Sequence, residues 1–488
     1  MPTLSVKSIR TILAIAATED LTLRHFDVTT AFLYGSPPDN QQVFMSLPRG
    51  LKANSSLVCK LQKGIYGLRQ SYRLWGEELN AFLLSLGFSR CITDPCIYIR
   101  RNGEDVLILA VYVDDIIVAS SSQQQASWVQ SKLWSKYKMT DCGPLEWFLG
   151  CRVHHDRKAR TITIDQSQYI ESILLRYGMH NCNPVSTPAE PGFILTSLMS
   201  PQNDQDRHFM ADKPYRGVIG SLMFAMVRTR PDIALAVGLV CRYMHNPGKR
   251  HWQAAMRILA YLRGHTNLGI TYHGRQGLFP HGYSDASWAD DRDQRRSTTG
   301  FVLFLAGAAV SWKSQLQPTT SLSSTEAEYK SAGAGVQETL ATRSKLAELG
   351  YPQVEPTTLF EDDQGAIALA LNQVTNYRIR HIDIRHHFIR QKIAEKSVGL
   401  EYISTKLMIA DALTKPLNTA MFRKFRSAMM GTAFNSCPRQ MGRPQHFHPY
   451  PSPAPSHHDA AHLLARLLTP ADNFHPATSS TSKPADDP

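Results

Sequence analysis

A chain of 488 residues that is 43% hydrophobic can bury several cores, so its composition indicates a globular protein of two or three domains. Lys and Arg number 53 against 41 Asp and Glu, and the net charge of +12 favours a polyanionic partner such as nucleic acid, although charge alone does not exclude a merely basic soluble protein. The eight cysteines include no Cys-x-x-Cys pair, which argues against a disulfide framework or a zinc site.

The N-terminal segment resembles a signal peptide only superficially. Two basic residues precede the apolar run Thr11–Ala17, but this run is short and merges into Glu19 and Asp20. A buried or amphipathic helix near Ser8–Thr18 is the better interpretation. Since no uninterrupted apolar run is long enough to span a bilayer, we expect a soluble intracellular protein that is not secreted and has no membrane partner.

The first part of the chain, residues 1–190, alternates helical and strand-like patterns and is therefore predicted to be α+β. After the N-terminal helix come a strand at His25–Val28, a helix at Leu74–Leu86, apolar strands at Val106–Val111 and Ile116–Ala119, a helix at Gln123–Tyr137 and a strand at Thr161–Ile164. Prolines at 184, 188 and 191, followed by a polar stretch, predict a boundary near residue 190.

Three further regions follow this boundary. Residues 191–275 are mainly helical between Tyr215 and Arg263, with basic residues that could lie against phosphates or simply face solvent. Residues 276–431 combine three strands with later helix and strand alternation, which predicts an α/β layer. Residues 432–488 are rich in Pro, Ser and His, and this composition predicts a disordered tail.

Two adjacent acids, Asp114 and Asp115, stand between the two apolar strands and so occupy the tip of a predicted hairpin. An unpaired carboxylate between buried strands costs on the order of several kcal/mol unless a cation compensates it, and Mg²⁺ binds carboxylate and phosphate oxygens together. A solvated turn is an equally good interpretation of this pair alone. Asp27 ends the strand at His25–Val28, which could pair with the hairpin and bring a third carboxylate to the same place.

Three ordered motifs carry a family resemblance in this region: FDVTTAFLYG, KGIYGLRQSYRLW and AVYVDDIIVAS. Together they resemble the reverse transcriptase of copia-type LTR retrotransposons. The resemblance implies a right-hand polymerase palm, a helical thumb or connection, and an RNA-directed DNA polymerase that uses two Mg²⁺ ions per active site, with Mn²⁺ as an alternative. It also implies an RNA template, a DNA primer and deoxynucleoside triphosphates as partners, in a cytoplasmic retrotransposon particle with nuclear access.

The residues of these motifs take their roles from the resemblance. Asp27, Asp114 and Asp115 are the implied metal ligands and catalytic residues. Phe32 stands where the family has an aromatic residue that favours deoxynucleotides, although core packing would equally explain it. The nucleotide and template site is implied to include Tyr66, Gly67, Arg69 and Gln70.

A second set of acids lies in the predicted α/β layer. Asp285 is on its first strand, Asp362 ends a later strand, and Asp411 is predicted to open the last helix. Glu326 is in the first turn of a helix that begins near Ser324. A carboxylate there interacts favourably with the helix dipole, so a capping role is the simpler interpretation of Glu326 alone.

The motifs around these acids, YSDASWADD, SLSSTEAEY, LFEDDQGAI and ADALTKPL, resemble the ribonuclease H domain that follows reverse transcriptase in copia-type elements. The resemblance implies that Asp285, Glu326, Asp362 and Asp411 are catalytic and bind two Mg²⁺ ions. It implies cleavage of the RNA strand of an RNA:DNA hybrid by metal-activated water. It covers residues 1–431 and leaves the tail outside.

The sequence departs from the family in two ways that bear on activity. The family's finger strands precede the segment that Met1–Asp20 resembles, so we expect an N-terminally truncated polymerase with incomplete fingers, from the C-terminal piece of a polyprotein. Asp363 stands where the family has Asn and adds a charge beside a predicted metal ligand. The alternatives to a bifunctional enzyme are therefore ribonuclease H activity alone, or an inactive remnant that at most binds nucleic acid.

Overall fold

The apolar strands on either side of Asp114 and Asp115 form the centre of the first sheet in the computed structural model, which describes residues 3–433 apart from 39, 49, 51–56 and 372–382. They pair antiparallel as a hairpin, and the strand that carries Asp27 pairs antiparallel with the second of them. One face of this sheet packs on two helices and the other on the N-terminal helix. Burial on both faces explains why the strands read as continuous apolar runs.

The three helices predicted for residues 1–190 are present within a few residues of their predicted ends. The α-helices are α1 (Val6–Glu19), α2 (Ser71–Ser85), α3 (Gln123–Lys136), α4 (Ser167–Arg176), α5 (Asp204–Ala211), α6 (Tyr215–Arg228), α7 (Ala234–Cys241), α8 (Lys249–Arg263), α9 (Ser324–Glu348), α10 (Gln364–Leu371), α11 (Asp383–Ala394) and α12 (Thr419–Met429).

The strands of the described residues form four sheets. They are β1 (Thr22–Val28), β2 (Phe44–Ser46), β3 (Val58–Lys60), β4 (Ser89–Arg90), β5 (Ile97–Asn102), β6 (Asp105–Tyr112), β7 (Asp115–Ser120), β8 (Met139–Pro144), β9 (Trp147–Phe148), β10 (Cys151–Asp156), β11 (Thr161–Asp165), β12 (Ile270–His273), β13 (His281–Ser287), β14 (Thr298–Leu305), β15 (Ala308–Leu316), β16 (Thr357–Glu361) and β17 (Val398–Tyr402).

The first three sheets differ in strand order and in the regions of the chain that supply their strands. The first has the order β4-β5-β6-β7-β1-β8, the second is β12-β11-β10-β9, and β2 pairs with β3. In the second sheet β11 and β12 are neighbours although the boundary expected near residue 190 lies between them in sequence. This sheet therefore joins the first region to the helical one.

The last sheet forms a mixed α/β layer with the order β15-β14-β13-β16-β17. Strands β13, β14 and β15 are antiparallel neighbours, whereas β16 and β17 run parallel to β13. Helix α9 packs across this sheet and shares its apolar core. A Cβ on Gly335 would lie 2.9 Å from a terminal methyl group of Leu359, so helix and strand approach closely here and a larger residue would displace that side chain.

The segment that contains Asp411 differs from its predicted structure. Asp411 lies in a short 3₁₀ turn, Ile409–Leu413, and the last α-helix begins only at Thr419, where the Asn418 side chain accepts from the backbone N–H of Met421. The prediction that Asp411 opens the last helix is therefore wrong. Pro416 explains the difference, because proline lacks an N–H and clashes with the carbonyl four residues before it in a helix.

Arg10 on α1 joins three parts of the fold. Its side chain is buried, and its guanidinium donates to the carbonyl oxygens of Val227 and Arg228 at the end of α6, at 2.7 and 2.8 Å, and to Val310 on β15 at 2.8 Å. It also lies 3.9 Å from the centre of the Trp312 ring. Burial lowers the pKa of Arg10 to about 10, which still leaves the side chain charged at neutral pH.

The described helices are all too short or too polar to cross a bilayer. The tail predicted to be disordered lies, from residue 434 onward, outside the described residues.

Candidate active sites

The first acidic site lies at the turn between β6 and β7. Asp27 on β1 is the register partner of Asp115 on β7, and Asp114 is in the turn. Val113 in the same turn has a φ of 59°, a left-handed conformation that is unfavourable for a β-branched residue. The indole N–H of Trp75 donates to the carbonyl oxygen of Val113 at 2.8 Å and so holds this strained turn.

Each adjacent acid of this turn has a protein partner. The Tyr66 hydroxyl donates to Oδ2 of Asp114 at 2.8 Å, and Nε2 of His25 lies 2.7 Å from Oδ1 of Asp115. Burial, together with the charges of Asp27 and Asp115, raises the pKa of Asp114, and the hydrogen bond from Tyr66 partly offsets this. Oδ1 of Asp114 is buried and has no hydrogen-bond partner among the described residues. A hard cation would satisfy this oxygen, so the residues fit a divalent metal.

The aromatic side chains beside this site form a continuous contact. The ring of Phe32 is buried and lies edge-to-face against Tyr66, with 4.6 Å between ring centroids, and 5.5 Å from the ring of Tyr72. Tyr66 itself is exposed, as is Arg69. The predicted nucleotide segment therefore contacts the acidic site through Tyr66, a contact that the sequence did not indicate.

Gly67 and Gln70 have local backbone roles in this segment. Gly67 has a φ of 94°, and nothing lies within 4 Å of where its Cβ would be. Its backbone conformation, and not the space around it, therefore calls for glycine. The Gln70 carbonyl accepts from the backbone N–H of Leu74 and begins α2.

The second acidic site brings five carboxylates together in the α/β layer. One oxygen from each of Asp285, Asp362 and Asp411 lies within 4.8 Å of the others, and the same holds for Glu328, Glu361 and Asp362. Asp362 belongs to both groups and also accepts a hydrogen bond from Thr405 at 2.6 Å. The three carboxylates of the first site do not form such a group in the described structure.

Glu326 lies outside the second site, although the sequence assigned it there. Its Oε2 accepts from the backbone N–H of Leu322 at 2.7 Å, and its Oε1 lies 2.7 Å from Nζ of Lys330. The Ser323 hydroxyl accepts from the backbone N–H of Glu326, so Glu326 has the capping role that was the simpler alternative. Two residues on, Glu328 points about 200° around the helix and joins the acids.

The charges of the second site are concentrated in a buried environment. Burial, together with the neighbouring carboxylates, raises the pKa of Glu328 to about 11 and that of Asp411 to about 7. The pKa values of Asp285 and Glu361 are also raised, chiefly by burial. Lys415 offsets part of this charge, because its Nζ lies 2.9 Å from Asp411 and 3.9 Å from Asp285.

The departure at Asp363 has a local structural explanation. Oδ1 of Asp363 accepts from the backbone N–H of Ala366 at 2.7 Å and so caps the start of α10. The hydroxyl of Thr325 on α9 also donates to Oδ2 of Asp363, at 3.3 Å. Asp363 does not join the carboxylate groups in the described residues. It caps the helix instead, a role that Asn would also fill.

Most of the basic residues on the helical region are engaged inside the protein. Arg230 is fully buried in an ion pair with Asp232, and Arg242 pairs with Asp290 and Asp291. Arg228 and Arg257, which are half-buried, and Arg263, which is exposed, each donate a hydrogen bond to another group of the protein. Lys249 and Arg250 are exposed, so a phosphate contact in this region remains a prediction for these two residues.

Comparison with known proteins shows the family to which the chain belongs. The reverse transcriptase (RNA-dependent DNA polymerase) family model matches residues 1–191. The Pol polyprotein of transposon TNT 1-94 from Nicotiana tabacum is 39% identical over 417 residues, which cover 85% of this chain and 31% of that protein. The Pol polyprotein of transposon RE1 from Arabidopsis thaliana is 36% identical over 428 residues, with coverage of 87% and 28%. The putative transposon Ty5-1 protein of Saccharomyces cerevisiae is 32% identical over 315 residues, which cover 64% of this chain and 99% of that protein.

The first acidic site therefore lies in a reverse transcriptase domain, a class of enzyme that uses divalent metal and acts on nucleic acid. The chain belongs to the family of retrovirus-related Pol polyproteins of copia-type transposons, as its motifs predicted. It spans less than a third of the length of the TNT 1-94 and RE1 polyproteins.

Proposed function

We propose that this chain is an RNA-directed DNA polymerase of a copia-type element, with Asp27, Asp114 and Asp115 as its metal ligands. The observation that carries the proposal is the convergence of Asp27 and Asp115, as register partners, with Asp114 at a strained turn inside the region matched by the reverse transcriptase family. The substrates are an RNA template, a DNA primer and deoxynucleoside triphosphates.

The reaction requires this chain mainly to position the metal and the reacting groups. Mg²⁺, when bound, would neutralise charge on the phosphoryl oxygens and favour attack by the primer 3′-oxygen. The β6–β7 turn orients Asp114, and Trp75 fixes that turn through Val113. Phe32, which packs edge-to-face against Tyr66, has the proposed role of favouring deoxynucleotides. Arg69 is exposed and could contact phosphate.

Primer extension on an RNA template tests the polymerase proposal. We expect extension by the full chain with Mg²⁺ or Mn²⁺ and its loss in Asp114→Asn. Asp105→Asn, at the other end of β6, is a matched control that should extend normally. Wild-type protein that fails to extend any primer with either metal would refute the proposal.

We also propose ribonuclease H activity at the second acidic site. Asp285, Glu328, Asp362 and Asp411 are the proposed catalytic carboxylates, with Glu328 in place of Glu326. The buried Oε2 of Glu328 has no hydrogen-bond partner among the described residues, which fits a cation ligand. The substrate is the RNA strand of an RNA:DNA hybrid.

Two neighbouring glutamates provide the decisive comparison for the nuclease. Glu328→Gln should abolish hybrid cleavage, as should Asp362→Asn, whereas Glu326→Gln should keep cleavage within a few fold and lose some helix stability. Equal losses in both glutamate variants would contradict the assignment of Glu328.

Nuclease activity alone is a second candidate function. It is favoured by the closer approach of the carboxylates in the second site than in the first. Hybrid cleavage without primer extension would establish it, and absence of both activities would leave an inactive remnant.

A further inference from the structure

Glu361 is a carboxylate that the proposed nuclease mechanism does not use. It is the last residue of β16, immediately before Asp362, and its side chain is fully buried. The Ser284 hydroxyl donates to its Oε2 at 2.8 Å. Its Oε1 is buried and has no hydrogen-bond partner among the described residues.

The surroundings of Glu361 are themselves acidic. One carboxylate oxygen from Glu361, one from Glu328 and one from Asp362 lie within 4.8 Å of each other. Glu328 is more than nine-tenths buried, and its Oε2 is likewise unpartnered. Glu361 and Glu328 therefore each contribute one oxygen to this group, and each also has a buried oxygen without a hydrogen-bond partner among the described residues.

An arrangement of this kind is costly while the carboxylates are ionised, unless protons or a bound cation compensate their charge. Buried carboxylates that lie this close repel each other, and each loses its hydration. Lys415 pairs with Asp411 and Asp285, and among the described residues it forms no ion pair with Glu361 or Glu328. Oxygen ligands at this spacing suit a hard divalent cation.

We propose that Glu361 is a further metal ligand, which forms with Glu328 and Asp362 a second cation position beside the one formed by Asp285, Asp362 and Asp411. Asp362, common to both groups, bridges the two positions. The inference deepens the proposed nuclease function and rests on it for its role in catalysis, although metal binding itself can be measured without cleavage.

Mn²⁺ binding to the full chain tests this inference, followed by the electron paramagnetic resonance signal of the free ion. Asp114→Asn is present in every sample, so that the first acidic site contributes weakly and equally. Glu361→Gln should weaken binding of one ion at least tenfold, because it removes a ligand charge while keeping the side-chain shape. Glu355→Gln, an exposed acid ahead of the same strand, controls for long-range charge and should bind like the parent.

Each outcome has a defined meaning. Binding by Glu361→Gln that equals the parent overturns the inference and leaves Glu361 as a merely buried acid. If circular dichroism shows that Glu361→Gln is unfolded, Glu361→Asp decides in its place: weaker binding supports the proposal, and unchanged binding overturns it. Metal binding that depends on Glu361 in a chain that does not cut hybrids would refute the nuclease proposal and leave this one intact.

Discussion

The buried ion pair between Arg230 and Asp232 should be essential to the stability of the helical region. Both side chains are completely buried, and the guanidinium binds the carboxylate through two hydrogen bonds, at 2.9 and 2.8 Å. The Tyr261 hydroxyl donates to Asp232 at 2.6 Å, and Arg230 also donates to the carbonyl of His265 at 2.9 Å. The pair thus links the start of α7 to the end of α8.

Asp232→Asn keeps the size of the side chain but leaves the Arg230 charge buried without a counterion. Breaking a buried pair in this way costs roughly 3–5 kcal/mol, which is a large share of the roughly 5–15 kcal/mol that stabilises a typical domain. With a urea dependence of about 2–3 kcal/mol per molar, the unfolding midpoint of this region should fall by roughly 1–2.5 M.

Urea titrations followed by circular dichroism, with limited proteolysis to locate the opened segment, would measure this change. Asp204→Asn is the matched control, because its ion pair with Arg207 is exposed and worth at most about 1 kcal/mol. The double variant Arg230→Met, Asp232→Leu should recover much of the loss, since it removes both charges. An Asp232→Asn midpoint as close to wild type as that of Asp204→Asn would refute the reasoning.

Three further predictions follow from single residues. Burial lowers the pKa of His281 from 6.5 to about 4, so between these pH values the imidazole is protonated in the unfolded chain and neutral in the folded chain. The free energy of unfolding should therefore fall by about 3 kcal/mol as the pH drops from 6.5 to 4. His281→Phe, which keeps the stacking on Phe304, should remove this part of the pH dependence in thermal unfolding, and an unchanged profile would contradict it. Lys415→Met should tighten Mn²⁺ binding several fold in a titration, because the lysine competes for the Asp411 carboxylate, and weaker binding would count against that competition. Val113→Gly should raise stability by about 1 kcal/mol through relief of the left-handed strain while it slows primer extension, and a less stable variant would show that the turn is not strained.

The sequence was sufficient for the hairpin because two independent signals agreed there. Apolar runs of strand length flank Asp114 and Asp115, and burial on both faces of the sheet leaves little freedom in their register. Asp27 could be paired with them because it lies at the end of a short predicted strand and the motifs of a known family contain all three acids.

The sequence was insufficient to identify the site residue at the start of α9, where a helix-capping pattern and a family motif overlap. Ser323 and Glu326 match a helix-capping pattern. The same short motif also contains Glu328, and the family resemblance alone did not show which of the two glutamates belongs to the site. Knowing which glutamate faces the site requires the rotation of the helix against its sheet, which is set by tertiary packing. The burial of Arg230 could not be predicted for the same reason, because it depends on how the start of α7 packs against the end of α8.

The contacts of Arg10 have a consequence for how the two acidic sites would work on one duplex. A guanidinium bound to both α6 and β15 opposes rotation between the first sheet and the last at this point, since such rotation would break three hydrogen bonds. If one duplex were held at both sites, each cut would lie a constant number of base pairs behind the growing primer end. Removal of the RNA strand would then be coupled to primer extension by the spacing of the two sites, instead of depending on separate binding events at the hybrid.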